Sequence, residues 1–78
     1  MNKFKELETV VLARDIKKYG LQKGDMGAVV MVYDNGKAAE LEFVTATGRT
    51  VALVILQLSD VRTLQQNDIL HVRGIANI

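Results

Sequence analysis

The 78 residues contain no cysteine, no proline and no tryptophan, and only one histidine. Without cysteine there are no disulfides and no thiolate ligands, and one imidazole cannot build a transition-metal site within a single chain. The expectation is therefore that the protein carries neither metal nor cofactor. Aromatics are reduced to Phe4, Tyr19, Tyr33 and Phe43, although 49% of the residues are hydrophobic, so the core must be aliphatic. No run approaches the roughly 18 apolar residues of a membrane span, and MNKFKELETVV lacks an unbroken hydrophobic stretch of signal-peptide length. A soluble, cytoplasmic protein with no membrane partner is expected. The formal charge of +1 leaves no strong field to draw nucleic acid or anionic lipid.

What is present is a high content of valine, isoleucine, leucine and threonine, gathered in short runs between turn residues. That is the pattern of strands in a meander. The first run is Thr9 to Ala13. A loop from Arg14 to Asp25 follows, holding Gly20 and Gly24. The second run, Ala28 to Tyr33, ends at Asp34-Asn35-Gly36, and Asn-Gly is a strong hairpin signal because both residues tolerate positive φ. The third, Lys37 to Val44, alternates, with Leu41 and Phe43 on one face and Glu40 and Glu42 on the other.

Thr45-Ala46-Thr47-Gly48 reads as a second turn, and Thr50 to Leu56 as the fourth strand. Leu58 to Val61 reads as a tight turn in which Ser59 and Asp60 bond nearby backbone, before a short strand near Val61 to Leu64. Gln65 to Asp68 reads as a polar linker. Ile69 to Ile78 is too apolar for a free tail and is expected to pack on the barrel or on a neighbouring chain, residues 65–78 together forming a C-terminal extension. Five short antiparallel strands with a long first connection predict an all-β fold, a small SH3-like β-barrel over residues 1–64 with the C-terminal extension belonging to the same domain. An open OB-like sheet is the alternative.

The runs ELETVVLARDI (6–16), GLQKGDMGAVVMVY (20–33), ELEFV (40–44), GRTVALVIL (48–56) and DVRTL (60–64) resemble a small bacterial domain-of-unknown-function family. Some of its members carry PemI-like, antitoxin-type labels. The resemblance spans roughly residues 4–73 and implies an SH3-like barrel in a toxin-antitoxin or immunity context. It implies no catalytic residues.

The residues themselves offer little for catalysis. A phosphate-binding loop requires Gly-Lys-Ser/Thr opening a helix, whereas here Gly24 precedes Asp25 and a strand-forming run follows Gly27. The glycines therefore read as turn formers, and Gly27 as a bulge or a close crossing. Ser59 reads as a turn residue, His71 as part of a strand or tail, and Glu40 with Glu42 as a solvated face, or else an ion-pair site for a basic partner. No enzyme is expected.

Two features suggest binding. Lys17, Lys18 and Tyr19 lie in a basic loop, residues 14–23, that suits a protein contact or a nucleic acid stacked on the tyrosine. AVVMVY and VALVIL are apolar on both faces, and either parity of the fourth strand is open: Val51, Leu53 and Ile55 inward with Ala52, Val54 and Leu56 outward, or the reverse. One face fills the barrel, and the other needs a cover, whether the C-terminal segment, a second copy or another protein. The expectation is a protein-binding module, an antitoxin or immunity partner of a toxin, with Val54, Leu56, Ile69, Leu70 and Val72 as its patch. The alternatives are a nucleic-acid-binding domain and a structural homo-oligomer such as a homodimer.

Overall fold

The computed structural model describes residues 2–44, 50–66 and 68, with backbone alone at 50 and 51. It is all-β. The strands are β1 (Thr9–Leu12), β2 (Met26–Tyr33), β3 (Ala38–Val44), β4 (Thr50–Gln57) and β5 (Val61–Thr63), and no α-helix occurs among the described residues. They form one antiparallel sheet in the order β4-β3-β2-β1-β5. Each strand lies within two residues of its expected position, because β-branched runs bounded by Gly, Asn and Asp favour extended backbone locally. The turn expected at Thr45 to Gly48 lies outside the described residues.

β2 joins the two halves of the sheet. Its start, Met26 to Ala28, pairs with β1, and Ala28 to Tyr33 pairs with β3. Inward side chains of both halves meet in one cluster that contains Val10, Leu12 and Val61 together with Val29, Leu41, Phe43, Val54 and Leu56. Side chains of this kind contribute about 1.5–3 kcal/mol each when fully buried. Small residues make space where the sheet is tightest: Phe43 pairs with Ala52 on β4, and its ring lies over Gly27. Gly27 is thus the close crossing its position suggested.

The pairing of β2 with β3 is interrupted by a bulge. The register with β3 shifts between Val29 and Met31, so that Val30 is an extra residue and Val30 and Met31 are exposed in succession. A bulge of this kind increases local twist and bends the strand. Asn35 (φ 55°, ψ 34°) and Gly36 (φ 91°) carry the hairpin, with the Lys37 amide donating to the Asp34 carbonyl at 3.0 Å. Those angles match the type I′ turn that Asn-Gly favours. Positive φ also extends to Asp34. Phe4, 3% exposed, enters the core while its amide donates to the Gly36 carbonyl at 2.8 Å, which anchors the N-terminal segment over this turn.

Three turns are closed by the same device. The carboxylates of Asp25, Asp60 and Asp68 accept hydrogen bonds from the amides of Gln22 (2.8 Å), Gln57 (2.9 Å) and Gln65 (2.6 Å). In each case the aspartate lies three residues beyond a glutamine, so Gln-x-x-Asp recurs three times as a turn-closing unit. Short acidic side chains suit this work because they reach backbone donors a turn away. The expectation for Asp60 is met in this way. In the segment expected to be a linker, Asp68 also accepts two bonds from Arg62 of β5, of 2.8 and 2.6 Å. That hydrogen bond, opposed by desolvation and aided by the aspartate's charge, raises the Arg62 pKa above the usual arginine value.

Candidate interaction site

The loop between β1 and β2 is a small folded unit. Ile16 and Leu21 bridge each other through amide-carbonyl bonds of 2.9 and 3.1 Å, and Leu21 is 1% exposed in the core. Between them Lys17–Tyr19 forms one 3-10 turn, closed by Gly20 in the left-handed region. Lys17, Lys18 and Tyr19 are therefore brought together at an exposed tip, with Lys18 Nζ 5.4 Å from the centre of the Tyr19 ring. Beside them Asp15, Lys17, Gly20, Leu21 and Gln22 line a shallow depression of about 280 Å³. Its charges are mixed, which does not favour an anionic ligand.

The glycines of this loop do not present free amides. Gly20, Leu21 and Gly24 donate to the carbonyls of Lys17, Ile16 and Leu12, and Asp25 donates to Gln22. The amides of Gln22 and Lys23 donate to the carboxylates of Asp25 and Asp15. Every amide from Gly20 to Asp25 is thus used within the chain, and none is left to cradle a phosphate. Asp25, 3% exposed, turns inward and accepts from the Gln22 amide, holding the loop it ends.

Of the two parities open for β4, the structure has Ala52, Val54 and Leu56 inward. They pair with Phe43, Leu41 and Ala39, all fully buried, and cross-strand partners share a face. Val54 and Leu56, at 4% and 6% exposure, are core residues, so a surface patch containing them is corrected. The outward residues are Leu53 and Ile55, 53% and 62% exposed. Sequence reasoning missed this because a run that is apolar at every position carries no period-2 signal. Ile69, Leu70 and Val72, with His71, lie outside the described residues.

Leu53 and Ile55 extend an apolar surface across three strands. Met31, Glu40 and Ile55 occupy one cross-strand row, and Ala28, Glu42 and Leu53 the next. Met31 is 50% exposed, and Val30 and Tyr33 are exposed beside it. Glu40 and Glu42, on β3, run up the middle of this face, opposite Leu41 and Phe43 as the alternation required. The bulge widens the face, since it turns Val30 and Met31 outward together. On β1 the same side of the sheet is closed: Val11 is fully buried between Met26 and Arg62.

Among the described residues no three His, Cys, Asp or Glu side chains converge as metal ligands would, and no helix is long and apolar enough to cross a membrane. Ser59 is exposed on the 3-10 turn Leu58–Asp60.

No curated protein and no solved structure matches the sequence. A family described as a domain of unknown function, DUF4926, matches residues 6–63, a stretch that contains the five strands β1 to β5. The chain belongs to the DUF4926 family.

Proposed function

We propose that this chain is a non-enzymatic protein-binding module of SH3-like topology that serves as the antitoxin or immunity partner of a bacterial toxin. The topology is supported by the strand order, in which β5 returns beside β1 after a 3-10 turn. The toxin-antitoxin context is supported by the resemblance to a small bacterial family some of whose members carry PemI-like, antitoxin-type labels. One observation carries the binding reading: Met31, Leu53 and Ile55 expose half or more of their surface on a sheet whose other side is already a filled core. Solvated strand faces are ordinarily polar, and contiguous apolar ones mark interaction sites. A small domain of this kind inhibits by laying its apolar cluster on a target's working surface, and the central contacts supply most of the affinity. Purification of the chain from its native host at physiological salt should recover a second protein in stoichiometric amount. Recovery of the chain alone contradicts the proposal.

A second reading, nucleic-acid binding, is favoured by the cluster of Lys17, Lys18 and Tyr19 on one exposed turn. Against it, the neighbouring Arg14 is committed to Asp60 at 2.7 Å and Asp15 lies beside the lysines. Titration with short RNA and DNA at two salt concentrations separates the readings, because phosphate contacts weaken steeply with salt.

A further inference from the structure

We infer that the occupant of the β2-β3-β4 face is a basic segment of the partner, a lysine or arginine that meets Glu40 with aliphatic side chains on either side of it. The inference rests on the protein-binding reading and specifies the chemistry that the same face selects.

Glu40 has Met31 and Ile55 as its cross-strand neighbours, and Leu53 lies in the next row. Directly opposed side chains stand about 4.5–5.5 Å apart at Cβ, so the carboxylate rises between two exposed aliphatic groups. Any partner that covers Met31, Leu53 and Ile55 also covers Glu40. Among the described residues no ion pair reaches Glu40, whereas Glu42 already has an interaction of its own. A purely apolar partner would strand the Glu40 charge away from water, which is costly unless a cation meets it. A second copy fits badly: an isologous contact centred on β3 brings Glu40 against carboxylates of its own kind. A nucleic acid is repelled by the same charge. A cation flanked by aliphatic groups satisfies both the charge and the apolar neighbours.

The test uses the full chain, labelled with nitrogen-15, and three synthetic heptapeptides in which leucine alternates with lysine, serine or glutamate. The lysine peptide should shift the amide resonances of Met31, Glu40, Leu53 and Ile55 and bind about fivefold more tightly than the serine peptide, the scale of one partly exposed ion pair. Glu40→Gln should abolish that preference. Glu40→Lys should transfer it to the glutamate peptide, and both variants should retain the dispersed spectrum of the folded chain. Equal binding of the lysine and serine peptides at this face overturns the inference while leaving the protein-binding reading intact. Absence of shifts at these residues, or shifts confined to Lys17 to Tyr19, also overturns it. So does self-association that Ile55→Ser abolishes, or occupation of the face by residues 69–78 of the chain itself.

Discussion

Phe43 and Gly27 fit together so closely that a Cβ at position 27 would lie 2.7 Å from both Cε1 and Cζ of the ring. Phe43 is fully buried and pairs with Ala52 on its other side, so the ring has little room to yield. Gly27→Ala should therefore destabilise the fold by about 1–3 kcal/mol, the range of overpacked cores. Thermal unfolding reads this as a fall of about 4–8 °C per kcal/mol for a domain of this size. Combined with Phe43→Leu, the alanine should cost less than it does alone, because the atoms it meets have gone. Additive losses would place the strain elsewhere.

Asp60 and Arg14 are joined by a 2.7 Å ion pair, but their environments differ: the arginine side chain is 57% exposed and the aspartate 12%. The second Asp60 oxygen accepts from the Gln57 amide. Arg14→Ala should lose less than about 1 kcal/mol, as exposed pairs do. Asp60→Ala should lose about 1–3 kcal/mol, because it also leaves a part-buried amide without its acceptor. Urea denaturation of the two variants gives the ranking, and equal losses would show that the ion pair, not the turn closure, dominates.

At the β2-β3 hairpin, Gly36 is constrained twice. Its φ is +91°, and an added Cβ would lie 2.9 Å from Lys3 Cβ. Gly36→Ala should cost more than about 1 kcal/mol and loosen the N-terminal segment that carries Phe4. Asn35→Gly at the preceding position should be nearly neutral, since glycine adopts φ 55° without steric cost. Hydrogen exchange at the Phe4 amide, which donates to the Gly36 carbonyl, should quicken in the first variant and not in the second.

Leu7 is 88% exposed and has φ 69°, the left-handed region that disfavours a residue with a Cβ. Its side chain contributes little burial in return. Leu7→Gly should raise stability by about 1 kcal/mol, seen as a higher urea midpoint at unchanged slope. A lower midpoint would mean that the leucine makes contacts which outweigh its backbone strain.

The features legible in the sequence are those set by neighbours in the chain. The strand limits follow from β-branched runs, the Asn35-Gly36 turn from two residues that accept positive φ, and the split of β3 into Leu41 and Phe43 against Glu40 and Glu42 from strict alternation. The features that were not legible depend on pairing partners. Whether Val54 or Ile55 faces inward is decided by the register with Leu41 and Glu40, which an apolar run does not encode. The bulge at Val30 is likewise a property of two strands. The inward turn of Asp25 had a local signal, the repeated Gln-x-x-Asp spacing, that becomes interpretable once Asp60 and Asp68 are seen to do the same. For the candidate site, Lys17 to Tyr19 were found at an exposed tip, whereas the exposed apolar face was anticipated as surplus but placed on the wrong members of β4.

The central claim is that the β2-β3-β4 face binds a protein partner. It is tested most directly by parallel purification, from the native host, of the unaltered chain and a Leu53→Ser/Ile55→Ser variant. Both side chains are more than half exposed, so the variant should unfold at a temperature close to that of the unaltered chain. The unaltered chain should bring down one stoichiometric protein, and the variant should bring down none. Retention of the same partner by a folded variant, or its absence from both samples, would contradict the account.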